Sequence, residues 1–260
     1  MSIDLTENAG SLKQIVRFYS KANKRLMLLD YDGTLVPLMS RPEQAKPSSR
    51  VLSVIKALTS DVHNTVVIIS GRDQEVLDSW LGHLPVQFFA EHGEFEKRDN
   101  QWLHTATLDE GWKNTIQPLM VASAHRVPGS LIEEKKTSLV FHYRNASDKN
   151  KAIKQAKNLF NELLPIAKEL GLRITHDKLT IEIQRSNADK GLAALSRLVG
   201  TNYDFMLSAG DSETDENMFK KLSDRAISVK IGPGNTVAAY RVASPEAFVD
   251  FLASLAELRE

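Results

Sequence analysis

The sequence predicts an α/β protein, a Rossmann-like parallel-sheet core carrying an inserted α+β domain. Three observations predict it. Short apolar runs ending at an Asp, Ser or Ala alternate with helical patterns toward both ends of the chain, as at Arg25–Asp30, Thr65–Ser70 and Phe205–Ala209. Repeated strand–helix units of this kind require a parallel sheet covered by helices on both faces. The middle of the chain breaks the rhythm with half-polar alternating stretches at Leu131–Tyr143 and Arg173–Gln184.

Taken in order, Ile3–Ala22 places Leu12, Ile15, Val16 and Tyr19 at helical spacing. Arg25–Asp30 is an apolar run ending in an acid, the pattern of a buried parallel strand. Ser48–Thr59 reads as a helix, with Val51, Leu52, Ile55 and Leu58 on one face. Thr65–Ser70 is rich in β-branched residues and reads as a second strand. Helix Gln74–Leu81 and strand Val86–Ala90 close this first series. The insert is expected over 109–185, where helices Glu110–Ala124 and Asn150–Glu169 interleave with the two alternating stretches. The core, expected over 1–108 and 186–260, resumes with helix Lys190–Val199, strand Phe205–Ala209 and helix Glu213–Leu222. Strand Ala226–Lys230 and helix Ser244–Leu258 complete it.

Composition removes whole classes of function. The chain has 260 residues, and its 33 Lys+Arg balance 33 Asp+Glu, so it lacks the basic excess of a nucleic-acid binder. With no cysteine there is no thiolate nucleophile, disulfide or Cys-based metal site. No run approaches the ~20 apolar residues of a membrane-spanning helix. Met1–Lys24 is too polar for a signal-peptide core. A cytoplasmic protein with neither nucleic-acid nor membrane partners is expected.

Ligands of an open parallel sheet bind beyond the carboxyl ends of its strands. Those ends read Asp30-Tyr31-Asp32-Gly33-Thr34-Leu35, Ser70-Gly71-Arg72 and Gly210-Asp211-Ser212-Glu213-Thr214-Asp215. Singly, each has an ordinary explanation: Asp-Gly is a common turn pair, and Glu213 and Asp215 suit the first turn of a helix. Together, Asp30, Asp32, Asp211 and Asp215 would repel one another without a cation among them. Mg²⁺ fits, because it takes oxygen ligands and keeps room for water and phosphate. Lys190 could add a fixed positive charge. Acids, Mg²⁺, Lys and Ser suit a phosphoryl group, and a carboxylate can itself be the nucleophile.

Asp30-x-Asp32-Gly33-Thr34-Leu35, Ser70, Lys190 and Gly210-Asp211-x-x-x-Asp215 resemble, in order, the four motifs of the haloacid dehalogenase-like phosphatase superfamily. Further stretches resemble the trehalose-6-phosphate phosphatase family within it. These are Ala90-Glu91-His92-Gly93, Glu133-x-Lys135 through His142-Tyr143-Arg144, and Asp215-Glu216-x-Met218-Phe219. The resemblance implies a Mg²⁺-dependent phosphatase that hydrolyses trehalose 6-phosphate through an aspartyl phosphate. It implies Asp30 as nucleophile and Asp32 as general acid and base, with Ser70 and Lys190 holding the phosphoryl oxygens. Metal binding falls to Asp30, Asp211, Asp215 and the backbone carbonyl of Asp32. The insert corresponds to the family's α/β cap, with Glu133, Arg144, Lys178 and Glu182 as sugar contacts. Lys178 and Glu182, four apart in an expected strand, would share a face. Gly71 and Arg72 are expected beside the ligand. Two departures stand out: Ile183-Gln184-Arg185-Ser186 lacks a proline the family has near the cap-to-core crossing, and Asp189 precedes Lys190 in place of Asn.

The expected partner is a small sugar phosphate, possible association with a trehalose-phosphate synthase is a further expectation, and a monomer is expected. The rivals are a phosphatase for another sugar phosphate (sucrose 6-phosphate or a glycosyl-phosphoglycerate) and a non-catalytic sugar-phosphate sensor. The second is disfavoured by the full set of acids and Lys190.

Overall fold

The structure, a computed structural model, describes residues 2–5, 7–104, 111–185 (185 by its backbone) and 189–258. It divides into two compact units, Met1–Leu103 with Asp189–Glu260, and His104–Ala188. The expected domain limits at 108–109 and 186, and the expected helix start at Glu110, lie outside the described residues.

The first unit opens with β1 (Ile3–Asp4), α1 (Ala9–Lys21), β2 (Arg25–Leu29), α2 (Ser49–Thr59), β3 (Asn64–Ile69), α3 (Gln74–Leu81), β4 (Gln87–Ala90), β5 (Phe95–Arg98) and β6 (Gln101–His104). The second unit holds α4 (Lys113–His125), β7 (Leu131–Glu134), β8 (Ser138–His142), α5 (Lys149–Glu169), β9 (Leu172–Asp177) and β10 (Thr180–Arg185). The chain then returns through α6 (Lys190–Ser196), β11 (Phe205–Gly210), α7 (Glu213–Lys221), β12 (Ile227–Ile231), β13 (Tyr240–Val242) and α8 (Pro245–Ala256).

The larger sheet runs β1-β13-β12-β11-β2-β3-β4-β5-β6. Every pair from β1 to β4 is parallel, and β5 lies antiparallel to β4. β2 is buried along its whole length and its side chains alternate between two cores. Met27 and Leu29 join Ile15, Ile55 and Phe248 from α1, α2 and α8. Leu26 and Leu28 join Ala194, Met218 and Phe219 from α6 and α7. Helices thus cover both faces, as the sequence predicts. Each such Leu, Ile, Met or Phe side chain contributes roughly 1.5–3 kcal/mol.

The topology also fixes a site. From β2 the chain moves outward through β3 and β4 on one side, and later through β11, β12 and β13 on the other. Strand order reverses at β2, so the crevice for a ligand opens at its carboxyl end.

The structure corrects some expectations. Helix α1 starts at Ala9, because the Asn8 side chain caps it by accepting from Ser11 N (3.0 Å). Ile3–Asp4 pairs with β13 as a strand. β5, β6 and β13 were not anticipated, since runs of three or four residues show no period.

The second unit has an antiparallel sheet in the order β7-β8-β10-β9. Its own core joins Ile116, Met120, Leu159 and Leu163 to Leu139, Phe141, Ile181 and Ile183 of the sheet. Each long alternating stretch folds as a hairpin and not as one strand. In the second, Lys178 and Leu179 turn the chain with φ of +48° and +64°. Lys178 therefore sits in a turn, and the expectation that it shares a strand face with Glu182 is wrong. Among the described residues, no helix is long and apolar enough to cross a membrane.

Candidate active site

Asp30 lies one residue beyond β2, with its amide bonded to Ala209 O of β11 (3.0 Å). Its carboxylate is buried and held at both oxygens. Thr34 Oγ1 donates to Oδ2 (2.7 Å), and Lys190 Nζ donates to Oδ1 (2.6 Å). Lys190 opens α6, whose N-terminus is capped by Asp189 Oδ1 accepting from Gly191 N (2.7 Å) and Leu192 N (3.1 Å). Asp189 thus does a job open to Asn as well. The same ammonium donates to Asp215 Oδ1 (2.8 Å).

Asp215 is wholly buried in the first turn of α7. Its Oδ2 accepts from Asp211 N (3.1 Å), Ser212 N (2.9 Å) and Ser212 Oγ (2.7 Å). It therefore ties the whole β11–α7 turn to Lys190.

Carboxylate oxygens of Asp30, Asp211 and Asp215 all lie within 4.8 Å of one another. Two glycines permit that crowding. A Cβ on Gly33, which has φ +79°, would lie 1.7 Å from Asp211 Oδ2, and one on Gly210 would lie 2.2 Å from Asp215 Cγ. Three buried hard-oxygen donors around one point, with side-chain bulk removed from their path, fit a divalent cation.

The charges explain the titration behaviour. Burial, and then the negative charge of Asp215, push the Asp30 carboxyl up to about 7 against the opposing pull of Lys190. Burial alone would lower Lys190, but Asp215 and Asp30 raise it well above its ordinary value. Burial would likewise raise Asp215, but Lys190 and the Ser212 hydrogen bonds hold it below the usual carboxylate range.

Asp32 stands apart from this triad. Arg72 grips its carboxylate through Nε (2.7 Å) and Nη2 (2.5 Å), gives Nη1 to Pro42 O (2.7 Å) and lies 5.1 Å over the Trp80 ring. Ser70 is buried just past β3 and accepts from Arg72 N at its hydroxyl (3.1 Å). The Glu91-His92-Gly93 turn braces this loop. His92 N donates to Ser70 O (2.9 Å), and a Cβ on Gly71 would meet the His92 ring at 2.5 Å.

In the second unit, Glu133 and Glu182 occupy the sheet face opposite its apolar core. Arg144 Nη2 donates to Lys178 O (3.0 Å), which ties the two other sugar-contact candidates together through the hairpin turn.

Lys230 is a residue that sequence reasoning missed. It is buried in β12 and donates to Asp211 O. A lysine inside Ser228-Val229-Lys230-Ile231 was the available signal, since a buried charge needs a partner.

Comparison with known proteins shows what the chain is similar to. A bifunctional trehalose-6-phosphate synthase/phosphatase from Thermoproteus tenax is 39% identical over 89% of this chain and 32% of its own length. A trehalose-phosphatase from Schizosaccharomyces pombe is 34% identical over 92% of this chain and 31% of its own. The chain thus spans about a third of these curated relatives. The structure of the C-terminal domain of Candida albicans trehalose-6-phosphate phosphatase superposes with a TM-score of 0.91 at 31% identity, covering 100% of this chain and 99% of that one. The sequence model of the trehalose-phosphatase family matches residues 28–246, and the chain belongs to that family.

Proposed function

We propose that this chain hydrolyses trehalose 6-phosphate to trehalose and phosphate through an aspartyl phosphate on Asp30. The observation that carries this reading is the buried Asp30–Lys190–Asp215 chain beside Asp211 at the strand-order reversal. An Asp30 oxygen forms a bond to phosphorus as the bond from phosphorus to the sugar oxygen breaks. Asp32 gives that oxygen its proton. Water then attacks the aspartyl phosphate and loses a proton to Asp32, which frees phosphate and restores Asp30. Ser70, Lys190 and the Gly71 backbone hold the phosphoryl oxygens, while Arg72 shapes that loop and orients Asp32.

The proposed cation is Mg²⁺, held by Asp30, Asp211, Asp215 and the Asp32 carbonyl. Bound there, it would neutralise charge on the phosphoryl group. Glu133, Arg144, Lys178 and Glu182, in the domain proposed over 109–185, recognise the sugar. The name of the T. tenax relative supports a synthase as the partner activity that supplies the substrate.

A phosphate-release panel tests this. Trehalose 6-phosphate should be preferred over sucrose 6-phosphate, a glucosyl-phosphoglycerate and glucose 6-phosphate. No such preference would remove the substrate assignment. Asp30→Asn should lower turnover at least about 10³-fold, and unchanged turnover would remove the site.

A further inference from the structure

The face of the second unit's sheet opposite its apolar core repeats one arrangement twice. Glu133 of β7 pairs across with Val140 of β8, and Val140 pairs with Glu182 of β10. Side chains of directly paired residues share a face, so the two carboxylates stand in one row on either side of Val140. Their backbone positions are two strand spacings apart, about 10 Å. Val140 is buried between them and offers an apolar floor.

Residues two positions along β8 in either direction also point to this face. They are Ser138 and His142, and each reaches diagonally to one carboxylate. His142 Nε2 donates to Glu133 Oε2 (2.7 Å), and Ser138 Oγ donates to Glu182 Oε1 (2.9 Å). Lys135 Nζ adds a contact to the same Glu182 oxygen (3.3 Å). His142 and Glu133 are about a quarter exposed or less, 21% and 26% by side chain. A glutamate has three rotatable bonds, and ordering it on ligand binding costs affinity. Donors that hold it in place beforehand remove part of that cost.

We propose that His142 and Ser138 are positioning residues that pre-organise Glu133 and Glu182 to grip a phosphorylated disaccharide at two separated hydroxyl groups. The proposal rests on the substrate reading above and deepens it. β8 then acts as a ruler: its alternation places one donor under each acid, and the spacing of its neighbours sets how far apart the two grips are. A ligand without a second sugar, or without any sugar, gains little from the arrangement.

Steady-state kinetics of His142→Ala, His142→Gln and Ser138→Ala test it, with trehalose 6-phosphate and p-nitrophenyl phosphate as substrates. His142→Ala should raise KM for trehalose 6-phosphate about tenfold with kcat within about twofold, the mark of lost uniform binding. Its constants for p-nitrophenyl phosphate should not change. His142→Gln keeps a donor and should recover most of the KM. Ser138→Ala should behave as His142→Ala, to a smaller extent. In a Glu133→Gln background, His142→Ala should add little, since the histidine acts through Glu133. Equal losses on both substrates would assign His142 a purely structural role and overturn the proposal, as would additive losses in the double variant. Wild-type turnover of trehalose 6-phosphate with an unchanged KM in His142→Ala would sink this proposal alone. A wild type that turns over p-nitrophenyl phosphate but ignores trehalose 6-phosphate would sink the substrate reading and the proposal with it.

Discussion

At the scale of single residues, the site is held by charges placed inside buried strands and turns. Lys230 shows how. It is buried in β12, and its ammonium donates to the carbonyl of Asp211, the residue that carries one of the three clustered acids. A hydrogen bond from a charged group contributes about 1.5–3 kcal/mol. Lys230→Met keeps the length of the side chain and removes the charge, so it should lower unfolding stability by that amount in a urea melt. The exposed Lys21→Met should change it by less than about 0.5 kcal/mol. Equal effects of the two would show that Lys230 is not a strut for the Asp211 turn. Asp189 makes the complementary case. It stands where the family resemblance leads one to expect Asn, yet its carboxylate caps α6 at two amides. Asp and Asn are equivalent in that role, so the departure from the family pattern leaves the placement of Lys190 intact.

At the scale of elements, local backbone geometry decides where recognition residues can sit. Lys178 is in the left-handed region at the first position of a two-residue hairpin turn, with φ +48°. Asn is the favoured residue there and lysine is not. Lys178→Asn should therefore hold or slightly raise the melting temperature, while KM for trehalose 6-phosphate rises if the ammonium touches the sugar. A fall in melting temperature would mean that the turn depends on the lysine side chain; an unchanged KM would remove Lys178 from the sugar contacts. This residue also marks the limit of what the sequence shows. Buried strands such as β2, and helices such as α2 and α5, were legible because burial leaves periodic, local signals, although α5 begins at Lys149 behind its Asp148 cap and not at the expected Asn150. Turns inside alternating stretches were not, because Lys-Leu carries no Gly, Pro or Asn to announce them. The acids and Lys190 were legible as a group because they follow strands in order. The Arg72 grip on Asp32 was not, since it joins loops 40 positions apart.

Over the whole molecule, a net charge of zero conceals strong segregation: acids gather where strand order reverses, around Lys190 and the proposed Mg²⁺. That placement predicts how pH and metal couple. Burial and Asp215 push the Asp30 carboxyl up to about 7, above the ~3.9 of a free aspartate. A carboxyl raised on folding contributes its stability below the unfolded value and loses it as pH climbs through the folded one. Asp215 runs the other way: held low by Lys190, it stabilises the fold above its unfolded value and loses this only on acidification. Between roughly pH 4 and 7 the metal-free protein should therefore lose the Asp30 contribution while keeping that of Asp215. A divalent cation needs Asp30 ionised and must displace its proton, so it should bind more weakly as pH falls. Titrating Mg²⁺ into chelator-treated protein and following the melting temperature should show a half-saturating concentration at least about tenfold higher at pH 5.5 than at pH 7.5. Asp30→Asn should bind more weakly overall but lose this pH dependence. The same half-saturating concentration at both values in the wild type would mean that the cation does not engage Asp30, and the metal centre would have to be redrawn around Asp211 and Asp215 alone.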